Sequence, residues 1–384
     1  MVVGAGLAGA RVCQELRGQG YAGRLTLVGA ERHLPYDRPP LSKELMRGHT
    51  DDTTLDVPWE DLDTEVRLGA TATAVRDRRL DTTAGTLSWD ALVLATGATP
   101  VRLPGDAGAH VLRTVDDARR LRGAFTPGRR LVIVGAGWIG AEVATAAAER
   151  GCAVTVVEAS PTPLARQVGE RIGGLTVPWY AERGIDLRCS SAVTRLDSAG
   201  VTLAAGERLP ADLVLVAVGV HPQLDWLAGS GLELADGVVT DAAGRTARPG
   251  VYAVGDCARR WSPRAGTHVR SEHWDDALHA PTSVVTAILG GQAAYDAVPY
   301  FWSEQLGRRL QWVGWRQGDP MIWRGRPGGA DGWAAAWLDE TGRLRGFFAV
   351  DRPRDLLQAR RAIDAGVRPD LVKLADTAVR VRDA

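Results

Sequence analysis

VVGAGLAG, residues 2–9, and LVIVGAGWIG, residues 131–140, are two versions of one pattern. Each is a short apolar run ending in glycines at GxGxxG spacing: Gly4, Gly6 and Gly9 in the first, Gly135, Gly137 and Gly140 in the second. The first continues into the apolar helix pattern LAGARVCQELRGQG and then the strand RLTLVGAE, which ends on Glu31. The second continues as AEVATAAAERG and then CAVTVVE, ending on Glu158. Strand, glycine loop, helix and strand make a βαβ unit. Its glycines let the backbone approach a pyrophosphate, and the helix N-terminus adds free N–H groups and the positive end of the helix dipole. An acid at the end of the second strand reaches ribose hydroxyls. At Glu158 it also repels a 2′-phosphate, which favours NADH over NADPH; Arg166, further along, pulls weakly the other way. One common use of two dinucleotide sites in a chain is FAD in one and a nicotinamide in the other.

The bulk numbers narrow the class. At 384 residues the chain exceeds one ordinary core, so two or three domains are expected. Acidic and basic residues balance at 46 each, which gives no global field toward nucleic acid or anionic lipid. No stretch approaches the roughly 20 apolar residues of a membrane span. The sequence opens directly on its first glycine loop, with no leader pattern, so a cytoplasmic protein is expected. That opening leaves almost nothing ahead of Gly4: either the true start lies upstream or the first strand is unusually short. Cys13, Cys152, Cys189 and Cys257 form no CxxC pair and no zinc spacing, so small buried residues and no metal site are expected. His268, His273 and His279 show no ligand pairing either. Near the end, WAAAWLDETGRLRGFFAV reads as a hairpin around Asp339–Gly342, followed by a helix. The domain reading is 1–106 with 229–297, then 107–228 inserted between them, then 298–384.

Several stretches carry a resemblance. LVLATGATP (92–100) and GVYAVGDCA (250–258) resemble the secondary FAD fingerprints of two-dinucleotide-binding flavoproteins with the glutathione-reductase fold. That implies an α/β protein with two Rossmann-type domains, for FAD and then NAD, and a C-terminal α+β domain. PYDRPPLSKELMRG (35–48), RSEHWDDALHA (270–280), VPYFWSEQLGRRLQWVG (298–314) and the closing VDRPRDLLQARRAIDAG are similar to one branch. It is the FAD-dependent NADH:ferredoxin reductases serving bacterial oxygenases: putidaredoxin reductase, rubredoxin reductase and the reductases of aromatic-ring dioxygenases. The resemblance implies hydride transfer from NADH to FAD. Single electrons then pass to a small iron–sulfur ferredoxin of the [2Fe–2S] type, which feeds an oxygenase.

The resemblance also implies roles. Lys43 falls beside the flavin and Arg38 in the same loop. Ala8, Glu31, Val75, Ala95 and Arg113 match FAD contacts, Asp256 the ribityl contact, and Trp274 the residue along the isoalloxazine. Ile139 and Gly219 join the second glycine loop and Glu158 at NAD. Glu142 matches an acid near the nicotinamide, and Trp302 falls at the edge where the acceptor docks. Two departures stand out: Gly29-Ala30-Glu31 replaces Gly-Asp-Glu, shifting the ribose contact onto Glu31, and His279-Ala280 replaces a glutamine region.

Lys43 is odd by composition alone. Lys43 and Lys373 are the only lysines among 46 basic residues. A flavin N5 accepts hydride, and negative charge develops on the ring. A compact ammonium stabilises that charge where a guanidinium fork is larger and fixed in geometry; Glu142 is the acid that would position it. Disulfide reductases of this fold keep a cysteine pair just after the RPP-like loop, where this chain has LSKELM and no cysteine. Electrons are therefore expected to leave singly, toward an outside metal centre. Arg308, Arg309, Arg352, Arg354, Arg360 and Arg361 could steer an acidic partner. Rival readings are a reductase of rubredoxin or a quinone and, from another class, an NADH-sensing flavin scaffold resembling apoptosis-inducing factor. The lack of an amphipathic anchor disfavours membrane quinone chemistry.

Overall fold

The strands Val2–Val3, Leu25–Val28 and Leu92–Leu94 are buried at every residue, as in a parallel sheet covered on both faces. In the computed structural model, which describes residues 1–106, 108–197 and 199–384, they form the middle of a five-stranded sheet. Its order is Val251–Ala253, Leu92–Leu94, Val2–Val3, Leu25–Val28, Thr64–Arg67, all parallel. The strand order reverses between Val2–Val3 and Leu92–Leu94, and the carboxyl ends there are where such sheets bind ligands. The first strand is only two residues long, yet it pairs on both sides. Helix Leu7–Gly18 buries Ala8, Val12, Cys13 and Leu16 along one stripe and packs with helix Trp274–Ile288 on this sheet. The other face is covered by Val75, Leu80, Trp89, Leu227 and Val238.

These elements belong to the first of two units, Met1–Asp37 with Thr53–Thr99 and Val220–Ala297; the second comprises Arg38–Asp52, Pro100–Gly219 and Val298–Ala384. Ala107, the first residue of the expected NAD segment, lies outside the described residues.

The second unit repeats the parallel design with strands in the order Asp186–Arg188, Ala153–Val157, Arg130–Val134, Leu213–Val216. Helix Trp138–Glu149 follows its glycine loop. Residues 140–147 of that helix are buried without interruption. A helix buried nearly all round must find partners for its polar side chains, here Glu142 and Thr145. The C-terminal region is a five-stranded antiparallel sheet in the order Tyr300–Gln305, Arg308–Gly314, Leu344–Val350, Trp333–Leu338, Ile322–Arg324. The expected hairpin is present, its turn held by the Asp339 carboxylate accepting the Thr341 and Arg343 amides. Helix Pro353–Asp364 lays Leu356, Ala359 and Ile363 on the sheet.

One buried cation ties the chain end to this sheet. Arg324 Nε donates to Asp355 at 2.8 Å, while its other nitrogens reach the carbonyls of Leu374, Asp376 and Val379. Removing Arg324 leaves three carbonyls short of a donor and Asp355 with Arg352 as its remaining cation. Arg324→Ala should lower stability by about 1–3 kcal/mol in urea unfolding; an unchanged midpoint would show that the tether does not matter.

Candidate functional site

In the first glycine loop the backbone itself dictates glycine. Gly4 has φ +114°, and a Cβ there would lie 2.1 Å from the Ala95 carbonyl oxygen. At Gly9 it would lie 1.9 Å from the Gly4 carbonyl oxygen, so helix and loop touch main chain to main chain. Gly6 is different: a Cβ would meet nothing within 4 Å. That open side is where a phosphate can come against the backbone. Gly6 is also the N-cap of helix Leu7–Gly18, with no side-chain cap and no acid in the first turn, so the helix end is left for an anion. Ala8 sits beside Gly255, where a Cβ would be 3.2 Å from the Ala8 methyl; this brings half-buried Asp256 to the same loop. Glu31 accepts a hydrogen bond from the Tyr36 hydroxyl at 2.6 Å. The Trp274 indole N–H donates to Asp37 Oδ1 at 2.8 Å, which fixes the ring at the start of its helix. Val75 turns its side chain fully into the core, so only its backbone is available to a ligand. The residues present fit a dinucleotide.

The second loop repeats the geometry. Gly135 has φ +107° and would place a Cβ 2.5 Å from the Ala217 carbonyl oxygen; at Gly140 it would be 2.0 Å from that of Gly135. Gly219 has φ +117° and a Cβ there would meet nothing within 4 Å, and Ile139 on the loop is 41% exposed. Gly137 caps helix Trp138–Glu149, again without a side-chain cap. Glu158 is held by two amides: Oε2 accepts Ala136 N–H and Oε1 accepts Ser160 N–H, both at 2.8 Å. The acid is thereby locked against the loop it follows. This too fits a dinucleotide with unmodified ribose.

Also in the second unit is a buried polar cluster. Lys43 Nζ donates to Glu142 Oε2 at 2.9 Å and to the Pro39 carbonyl at 3.3 Å. The side chains are 8% and 2% exposed. The Ser42 hydroxyl bonds the same oxygen, and Ser303 Oγ donates to Oε1 at 2.5 Å. The structure thus brings together Lys43 and Glu142, and it adds Ser42 and Ser303, which the sequence reading passed over. The signal for Ser303 was strand alternation in FWSEQ. Phe301, Ser303 and Gln305 fall on one side of strand Tyr300–Gln305, and Trp138, Glu142 and Thr145 on one side of the helix. They meet in register: Trp138 and Phe301 rings 4.8 Å apart, Glu142 on Ser303, Thr145 Oγ1 accepting the Leu306 amide at 2.8 Å.

Trp302 is not part of this cluster. Alternation turns it to the opposite side, where it stacks on Tyr300 at 5.9 Å, with Arg360 5.2 Å over the Tyr300 ring. Arg38 and Arg113 lie in the second unit and meet there, the Arg38 guanidinium donating to the Arg113 carbonyl. Of the arginines considered for steering, Arg308 pairs with Glu182 and Arg352 with Asp355, while Arg309, Arg354 and Arg361 are exposed. The four cysteines are all free thiols, and burial pushes each of them up, Cys13 to about 12. A raised thiol is a poorer nucleophile than an ordinary one. Among the described residues no acid, histidine and cysteine group is placed to hold a metal, and no helix is long and apolar enough to cross a membrane.

Comparison with known proteins agrees with this geometry. The pyridine nucleotide-disulphide oxidoreductase family model matches residues 1–281, and the reductase C-terminal model matches residues 300–384. The chain is 36% identical over 397 residues to the benzene 1,2-dioxygenase system ferredoxin–NAD(+) reductase subunit of Pseudomonas putida, covering 100% of this chain and 96% of that protein. It is 34% identical over 396 residues to rhodocoxin reductase of Rhodococcus erythropolis, covering 98% and 92%. Putidaredoxin reductase, solved in its covalent complex with putidaredoxin, superposes with a TM-score of 0.94 at 30% identity, covering 99% of this chain and 96% of that one. With both loops, both family models and full-length relatives in agreement, the chain belongs to the FAD-dependent NADH:ferredoxin reductase family of the pyridine nucleotide-disulphide oxidoreductases, with their glutathione-reductase-like α/β fold.

Proposed function

We propose that this protein is an NADH:ferredoxin oxidoreductase, carrying electrons from NADH through FAD to a small iron–sulfur protein that serves an oxygenase. The observation that carries this is the buried Lys43–Glu142 pair in a chain whose cysteines are all free thiols. FAD, when bound, supplies the exchange between a two-electron donor and a one-electron acceptor. The chain does the rest. The loop at Gly4, Gly6 and Gly9 with Ala8 and Ala95, together with Glu31, Asp256, Val75, Trp274, Arg38 and Arg113, holds the flavin nucleotide. Gly135, Gly137, Ile139, Gly140 and Gly219 hold the nicotinamide nucleotide, with Glu158 on its ribose. Residues 1–106 with 229–297 act as the FAD domain, 107–228 as the NAD domain and 298–384 as the acceptor-facing domain.

Lys43 presents a fixed positive charge where charge accumulates on reduction, and Glu142 fixes the ammonium in place. Trp302, half-buried and stacked on Tyr300, offers a flat aromatic edge toward the acceptor. The acceptor is a [2Fe–2S] ferredoxin, and the site of action is the cytoplasm.

Three results test this. NADH-driven cytochrome c reduction should require added [2Fe–2S] ferredoxin; flavin bleaching by NADH with no ferredoxin response would favour an NADH-sensing scaffold. Lys43→Ala should slow anaerobic reduction of the bound flavin by roughly 100-fold, with Lys43→Arg failing to recover most of it, since a larger fork replaces a point charge. If Lys43→Arg reacts like wild type in stopped flow, the need for an ammonium is refuted. Glu158→Ala should lower the NADH-over-NADPH ratio of kcat/KM by about tenfold or more, the scale of losing hydrogen bonds to a charged group. An unchanged ratio would place coenzyme choice elsewhere.

A further inference from the structure

Glu142 has two carboxylate oxygens, and pairing with Lys43 uses one. Oε2 takes Lys43 and Ser42, while Oε1 takes the Ser303 hydroxyl at 2.5 Å. Behind Ser303 stands Gln305, whose Nε2 donates to Ser303 Oγ at 3.1 Å. A hydroxyl has one proton to give. With the Gln305 amide filling a lone pair on Oγ, that proton is directed at Glu142. Ser303 is 0% exposed and Gln305 2%, so water does not compete for either bond.

We propose that Ser303, backed by Gln305, is a positioning residue for Lys43: it pins one oxygen of Glu142 so that the other stays turned to the ammonium. Strand Tyr300–Gln305 then carries two functions on its two sides, Ser303 toward the Lys43–Glu142 pair and Trp302 away from it. A carboxylate deprived of Ser303 is free to rotate and share its oxygens, and the ammonium loses its fixed acceptor. The kinetic consequence rests on the reading that Lys43 serves bound FAD; the placement of the ammonium does not.

The chain offers a direct probe, because Lys43 and Lys373 are its only lysines. Lys43 is buried, while Lys373 is exposed on helix Leu371–Ala375 and serves as an internal reference. The purified holoprotein is treated with limiting acetic anhydride over a range of pH, and the Lys43-to-Lys373 acetylation ratio is read by mass spectrometry. The ratio should rise about tenfold in Ser303→Ala, the scale of losing a hydrogen bond to a charged group. Ser303→Thr, which keeps the hydroxyl, should restore the wild-type ratio. Gln305→Met should move the ratio the same way by less. Anaerobic flavin reduction by NADH should slow in parallel. A Ser303→Ala protein that melts earlier but keeps the wild-type ratio would reduce Ser303 to packing and overturn the proposal. Should that variant not fold, an unchanged ratio in Gln305→Met overturns it equally. A ratio that shifts as expected in a protein that reduces no ferredoxin would uphold the positioning role while sinking the proposed acceptor.

Discussion

A carboxylate carried out of water costs several kcal/mol unless donors replace its hydration, and Glu142 is nearly fully buried. Its donors come from two places far apart in sequence: Ser42 and Lys43 from the loop after Arg38, and Ser303 from the C-terminal sheet. The helix that carries Glu142 begins at the second glycine loop. One desolvated charge therefore fixes the loop, the helix and the sheet of the second unit against one another, and the same charge fixes the lysine ammonium. Structure and chemistry share a single constraint. Thr145 accepting the Leu306 amide one turn later reinforces the seam with a neutral bond.

The cofactor cradles obey a different constraint, that of backbone contact. Gly4 and Gly135 each run past a neighbouring carbonyl at a distance no Cβ tolerates, and Gly9 and Gly140 do the same against their own loops. These contacts close the turn, while a Cβ at Gly6, where the first helix begins, would meet nothing within 4 Å. Glu158 is then held by an amide of its own glycine loop, which joins the acid to the loop it follows. Cys13 and Cys257, buried thiols pushed up by burial, fill space in the first unit's core.

Much of this was legible in one dimension. GxGxxG followed by a helical stripe and an apolar strand ending in an acid specifies a βαβ unit through local rules: φ at the glycines, period 3.6 in the helix, continuous burial in the strand. Both units, Glu31 and Glu158 at their strand ends, and the hairpin at Asp339–Gly342 came from such rules. One of two lysines in an arginine-rich chain, Lys43 stood out because ammonium and guanidinium differ in shape.

What the sequence could not give were relations across a hundred residues or more. That Glu142 meets Lys43 was suggested only by resemblance. That Ser303 and Gln305 stand behind Glu142, while Trp302 one residue away faces the other side, depends on which face of strand Tyr300–Gln305 the helix covers. Alternation divides the strand into two faces but does not choose between them. The choice is made by packing: in this register the Trp138, Glu142 and Thr145 stripe meets an aromatic, a hydroxyl and an amide in turn. Local sequence thus determined the two nucleotide cradles, and tertiary packing decided which side chains surround the buried charge, because a buried carboxylate takes its donors from whatever the fold brings within 3 Å, not from its neighbours in the chain.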